Sequence, residues 1–117
     1  MNMEEIIKKY SMAVIEHRKY AVINSKIANK NYDLIIKYYK ELKKTKEGIE
    51  SLKKLLLNEE PAIRLVVATN LLPFYEHEAK VVLKELQDGK IPFISNEAKY
   101  TIEGWNEGGL KEYLLSL

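Results

Sequence analysis

The chain contains no cysteine. Disulfide staples, thiolate zinc sites and cysteine nucleophiles are therefore excluded. Proline is scarce, with only three residues, and there are five glycines, all at or after Gly48. Little in the first half of the chain interrupts a helix. No Asn-Gly or Asp-Gly pair sits between alternating strands, so no hairpin signal is present. No apolar run approaches the roughly 18–20 residues needed to cross a bilayer. The first twenty residues carry charges throughout, which does not suit a signal peptide. A soluble, cytoplasmic protein is the expectation, with no membrane partner.

Chemistry-bearing patterns are equally thin. The two histidines, His17 and His77, lie sixty positions apart. No His-x-x-x-His or His-Glu-x-x-His spacing occurs, so no metal site is expected. No glycine-rich phosphate loop and no Gly-x-Ser-x-Gly turn is present, and no Ser/His/Asp set has an arguable geometry. The carboxylates sit among lysines at helical spacing, as on a solvated face. The chain is therefore expected to be no enzyme and to hold no cofactor.

What is abundant is helix-forming, periodic sequence. The 117 residues suit one domain spanning 1–117, and at 46% hydrophobic and 31% charged the chain can bury a core unaided. Apolar residues recur at three- and four-residue spacings along most of its length. A first helix is expected over about 3–22, with Ile6, Ile7, Tyr10, Val14, Ala21 and Val22 on one face. Asn24 and Ser25 break or cap it. A second helix covers about 25–44, and a third about 47–57 with Ile49, Leu52, Leu55 and Leu56 inward. A fourth runs from Pro61 to about Leu72, where Pro73 ends it. A fifth spans about 75–87, with Ala79, Val82, Leu83 and Leu86 as its periodic apolar positions, and stops at Asp88-Gly89, a C-cap signal. Residues 91–93 read as an extended connector, and Ser95 as the N-cap of a sixth helix over about 96–107, closed by Gly108-Gly109. The tail 110–117 reads as one more helical turn. About six helices with short connections predict an all-α fold of three antiparallel hairpins. Their period of about 40 residues is that of HEAT repeats, hence a HEAT-like right-handed α-solenoid.

The stretch LLLNEEPAIRLVVATNLLP at 55–73 carries this reading. Asn58 suits a tight turn, and Glu59 and Glu60 lie where a helix dipole favours acids. Pro61 fits the first helical position, where a missing N–H costs nothing. Aliphatic residues then surround nearly the whole helix, which predicts burial on several sides. PAIRLVVATNLLP (61–73), AKVVLKEL (79–86) and AKYTIEGW with GGL (98–105 and 108–110) together resemble a small bacterial HEAT-like family. That family is catalogued as the domain of unknown function numbered twenty-nineteen. YKELK (39–43) resembles its N-terminal half, so the likeness covers roughly residues 30–110. The sequence departs from the family pattern at Val66 or Val67, and at Gly104 before Trp105. The resemblance implies an α-helical repeat and supplies no catalytic residue.

Three residues are expected to be structural: Pro61, Arg64 and Trp105. Arg64 can bond loop carbonyls or pair with an acid on a neighbouring helix, a task suited to its planar fork. Its competing reading is contact with a partner. Trp105 is expected to anchor the last hairpin through a local indole bond. The candidate binding surface lies elsewhere. At 100° per residue, Lys26, Lys30, Lys37, Lys40 and Lys44 fall within about 40° of one line. Residues 24–46 hold seven lysines against Asp33 and Glu41. Tyr39, Asn70 and Tyr100 join these lysines as candidate partner contacts. The expectation is a non-catalytic protein-interaction module of the immunity or regulatory type, monomeric or homodimeric, that binds its partner through the inner face formed by helices two, four and six. Its alternative is a nucleic-acid-binding protein using the basic helix, although the net charge of +2 is small for that role.

Overall fold

A computed structural model describes all residues, 1–117. The chain is all-α, with seven α-helices, one 3-10 turn and no strand. It forms two compact units, Met1–Lys54 and Leu55–Leu117.

The first unit holds α1 (Met3–Tyr20), α2 (Ser25–Leu42) and α3 (Lys46–Lys54). Asn2 caps α1, its side-chain oxygen accepting from Glu5 N at 2.9 Å. Asn24 caps α2 in the same way, accepting from Ile27 N at 3.1 Å. Each cap satisfies an N–H that the first helical turn leaves without a partner. The first helix is shorter than its periodicity suggests. The Tyr20 carbonyl accepts from both Ile23 N and Asn24 N, which turns the chain. Val22, expected to face inward, is therefore 93% exposed.

α1 and α2 pack against each other, with Tyr10 beside Tyr39 and the His17 and Tyr32 rings 6.0 Å apart. The core of the unit is Tyr10, Ala13, Val14, Ala28, Ile35, Tyr38, Tyr39, Leu42 and Leu52. α3 packs on both helices and comes closest at Gly48. A Cβ there would stand 2.9 Å from Leu42 Cα and nearer still to its carbonyl. Only glycine lets the two backbones meet so tightly.

The second unit opens with the 3-10 turn Leu55–Leu57, so the third helix is α-helical only to Lys54. Asn58 Oδ1 then accepts from Glu60 N at 2.8 Å, which builds the tight turn. Glu60 is the N-cap of α4 (Pro61–Leu71), and its carboxylate accepts from Ala62 N at 3.4 Å. Ala62, Ile63, Leu65, Val67, Ala68, Asn70 and Leu71 of α4 are buried. Such burial almost all round makes α4 the central element of this unit, packed on the 3-10 turn, α5 (Glu76–Asp88) and α6 (Ile94–Glu107). Leu72 keeps α-helical dihedrals at φ −50° and ψ −41° despite preceding Pro73. The proline thus ends α4 through its absent donor rather than by expelling Leu72 from the helical region.

α5 buries Ala79, Val82, Leu83 and Leu86, the four positions its period selects. It ends at Asp88 with Gly89 as its C-cap, as expected. Gly89 has ordinary helical dihedrals, and Lys90 takes the left-handed conformation at φ 57°. Residues 91–93 form a turn rather than an extended connector. Ile94 N bonds Pro92 O at 2.7 Å around Phe93, whose φ is 65°. α6 begins at Ile94, so Ser95 is not its N-cap. Ser95 Oγ instead accepts from Ile91 N and donates to Leu86 O at 3.0 Å, tying the turn to the end of α5. Gly108, at φ 96°, caps α6 and leads directly into α7 (Gly109–Ser116). The expected single turn of tail is a full helix that packs on α6 and buries Leu114.

Candidate functional site

The five lysines selected by spacing are all exposed: Lys26, Lys30, Lys37 and Lys40 on α2, and Lys44 just beyond it. The opposite side of α2 is anchored by Ala28, Ile35, Tyr38, Tyr39 and Leu42. From Lys26 to Lys40 the ammonium groups are borne on about 21 Å of helix axis. Asp33 falls on the same line and interrupts the positive field near its middle. Lys44 Nζ lies 2.9 Å from Glu41 Oε1. That hydrogen bond, with the Lys44 and Lys37 charges, holds the Glu41 carboxyl below its ordinary value. Lys37 Nζ sits 5.6 Å from the centre of the Tyr38 ring. Lys37 is thereby partly ordered over an aromatic face while its charge stays in water.

The other candidate contacts do not all reach the surface. Tyr39 is 1% exposed, since its ring is part of the core beneath α1. Burial pushes its hydroxyl up to about 12. The neighbouring Tyr10 hydroxyl is raised further, first by complete burial and then by Tyr39. Asn70 is 6% exposed inside α4. Both residues are assigned to the interior and cannot present side chains to a partner in this conformation. Tyr100, on α6, is 64% exposed and does present its ring.

Arg64 spans three elements of the second unit. Its Nε donates to Leu56 O at 2.9 Å, closing the 3-10 turn onto α4. Its Nη2 donates to Glu85 Oε2 of α5 at 2.7 Å. The guanidinium fork suits this task because two donors leave one plane in different directions. Trp105 is buried, and Lys111 Nζ of α7 lies 5.6 Å from its ring. Glu76, at the start of α5, bonds Lys80 at 3.1 Å. Its carboxyl is held low first by that bond, with smaller contributions from the Trp105 indole N–H and Lys111. Trp105 thus links α5, α6 and α7, and Pro61 opens α4 as its first residue.

No three His, Asp or Glu side chains gather closely enough to hold a metal ion. The depression along α5, lined by His77, Lys80, Val81, Lys84, Glu85 and Asp88, is shallow and open. Its polar groups do not converge on a point, and Lys84 and Asp88 face each other at 3.5 Å. No helix is long and apolar enough to cross a membrane. Residue spacing did not reveal the groove between α1 and α2, where Met12 is 56% exposed over Ala13, Leu34 and Tyr38.

Comparison with family models, with curated proteins and with solved structures returns no significant match. The site is accordingly defined by geometry alone: an exposed, lysine-bearing helix face backed by a packed apolar one.

Proposed function

We propose that the chain is a non-catalytic protein-interaction module that binds its partner electrostatically through the lysine line of α2. In this reading it is a cytoplasmic bacterial protein of the immunity or regulatory type. Its fold would be a short HEAT-like right-handed solenoid of three hairpins, related to the family numbered twenty-nineteen. The observation that supports it is the two-sidedness of α2. One side buries Ile35, Tyr38, Tyr39 and Leu42, while Lys26, Lys30, Lys37 and Lys40 stand in water. Lysines so placed steer and orient an acidic surface more than they add affinity.

The test is co-expression with the product of the adjacent gene, followed by measurement of complex mass and affinity. A one-to-one complex is expected. Reversing Lys30 and Lys37 to glutamate should weaken it at least tenfold without lowering the melting temperature. A complex indifferent to those reversals, or no specific complex, defeats the proposal.

The alternative is nucleic-acid binding by the same lysines. It draws on the length of the stripe, which spans several phosphates. It is weakened by Asp33 on that line and by the absence of arginine, whose fork recognises phosphate better. Binding to duplex DNA that falls steeply with salt would favour this alternative. No binding at low salt would remove it.

A further inference from the structure

The groove between α1 and α2 lies on a different face from the lysine line. Its α2 residues Asn31, Leu34 and Tyr38 are rotated roughly 80–140° from the lysines, at 100° per residue. Its α1 side consists of Lys9, Met12, Ala13 and Glu16. Met12 projects from it at 56% exposure, whereas Ala13 is 3% exposed and forms part of the floor. A large apolar side chain therefore stands beside a hollow on the same helix.

Two copies of one helix can pair antiparallel about any perpendicular two-fold, and one such axis brings opposite charges together. Place a two-fold axis perpendicular to α1, between Met12 and Ala13. Residues 9 and 16 then lie about 10° to either side of that axis, and residues 12 and 13 about 50° to either side. Reversal about the axis exchanges Lys9 with Glu16, Met12 with Ala13 and Glu5 with Tyr20. An interface built on a two-fold requires such reciprocity, with one residue meeting a second and the second meeting the first.

We propose that this face is a homodimer interface in which the first helices of two copies pair antiparallel about that axis. Lys9 of each copy meets Glu16 of the other, giving two symmetric ion pairs. Met12 of each copy enters the hollow over Ala13, beside Leu34 and Tyr38 of the other. Glu5 of each copy comes opposite Tyr20, whose ring already carries Lys19 Nζ at 5.4 Å from its centre. Within one chain Lys9 and Glu16 cannot pair, because seven residues separate them by about 10 Å of helix axis.

The apolar contacts supply the affinity, and methionine adapts readily to such a hollow. Lys9 and Glu16, close to the axis, set direction and register. A parallel pairing, or one shifted by a turn, would part Lys9 from Glu16. The lysine line of α2 remains free, so the dimer would present two such lines to a partner. A contact of this small size suits a micromolar rather than a nanomolar dimer.

The experiment is sedimentation equilibrium on the whole chain and on two single variants, Lys9→Glu and Glu16→Lys. The parent should show a mass rising with concentration from the 13.6 kDa of one chain toward twice that value. Each variant alone places like charges face to face, and its dissociation constant should rise at least tenfold. Mixed in equal amounts, the two variants carry an acidic and a basic face. They should associate with each other to within about threefold of the parent affinity. The double variant K9E/E16K should likewise recover the parent dimer. Circular dichroism should show unchanged helix content throughout, since neither side chain belongs to the core. The proposal is overturned if the parent is monomeric up to about 1 mM. It is equally overturned if the single variants dimerise as the parent does, or if neither the mixture nor the double variant recovers association. A parent monomer leaves the α2 proposal intact, because that proposal is read from partner binding and not from self-association.

Discussion

Replacing Arg64 by alanine removes two interactions of different worth. The first is the bond from Nε to Leu56 O at 2.9 Å. A charged donor to a partly buried carbonyl contributes about 1.5–3 kcal/mol, and its loss leaves that carbonyl without a protein donor. The second is the pair with Glu85 at 2.7 Å, whose side chain is 57% exposed against 25% for Arg64. Solvent screens such a pair, so it contributes about 0–1 kcal/mol. Discounted for partial exposure, the total loss is about 2 kcal/mol. For a chain of this length that lowers the melting temperature by roughly 8 °C. The assay is thermal and urea unfolding followed by far-ultraviolet circular dichroism. Arg64→Lys should recover part of the loss, because an ammonium keeps the charge but cannot reach both acceptors in one plane. Glu85→Ala should cost less than about 1 kcal/mol. A melt of R64A within about 2 °C of the parent would refute the assignment of Arg64 as the staple of α4, and would return it to the set of candidate partner contacts.

Three further outcomes follow from the geometry. Gly48→Ala places a methyl group against backbone atoms of Leu42 that cannot rotate away, so urea titration should show a loss of about 3 kcal/mol or more. Lys90→Gly relieves a left-handed lysine at φ 57° and should raise stability by about 0.5–1 kcal/mol in the same assay, net of the extra chain entropy of glycine. Tyr39, pushed up to about 12, and the still higher Tyr10 are protonated when folded and ionise near 10 when unfolded. Their contribution is complete below that unfolded value and is lost as pH rises through the folded one. Ultraviolet titration should therefore show these two of the eight tyrosines lagging the rest and ionising together with loss of helix; uniform ionisation near 10 with helix intact would refute their burial.

What could be read from residues alone was whatever depends on neighbours in sequence. The break between the first two helices near Asn24, Pro61 at the start of α4, and the buried set Ala79, Val82, Leu83 and Leu86 follow from spacing within one or two turns. The errors arise where a tertiary contact overrides a local signal. Ser95 looks like a helix cap, yet its hydroxyl is taken by Leu86 O and Ile91 N, nine and four residues away in the chain. Spacing puts Tyr39 on the apolar side of α2, and only its chemistry suggests a contact residue; burial follows the spacing, and Asn70 too lies within a few per cent of complete burial. The surface follows the same logic from the other side. The lysine line was visible because five like charges repeat along one helix. The α1 groove was not, because its features belong to two helices and become legible only once α2 lies beside α1. Lys9 and Glu16, unremarked as two charges among thirty-six, acquire meaning only around the Met12–Ala13 axis. A site made by juxtaposition has no local signature, and in a chain without catalytic motifs such sites are where function must be sought.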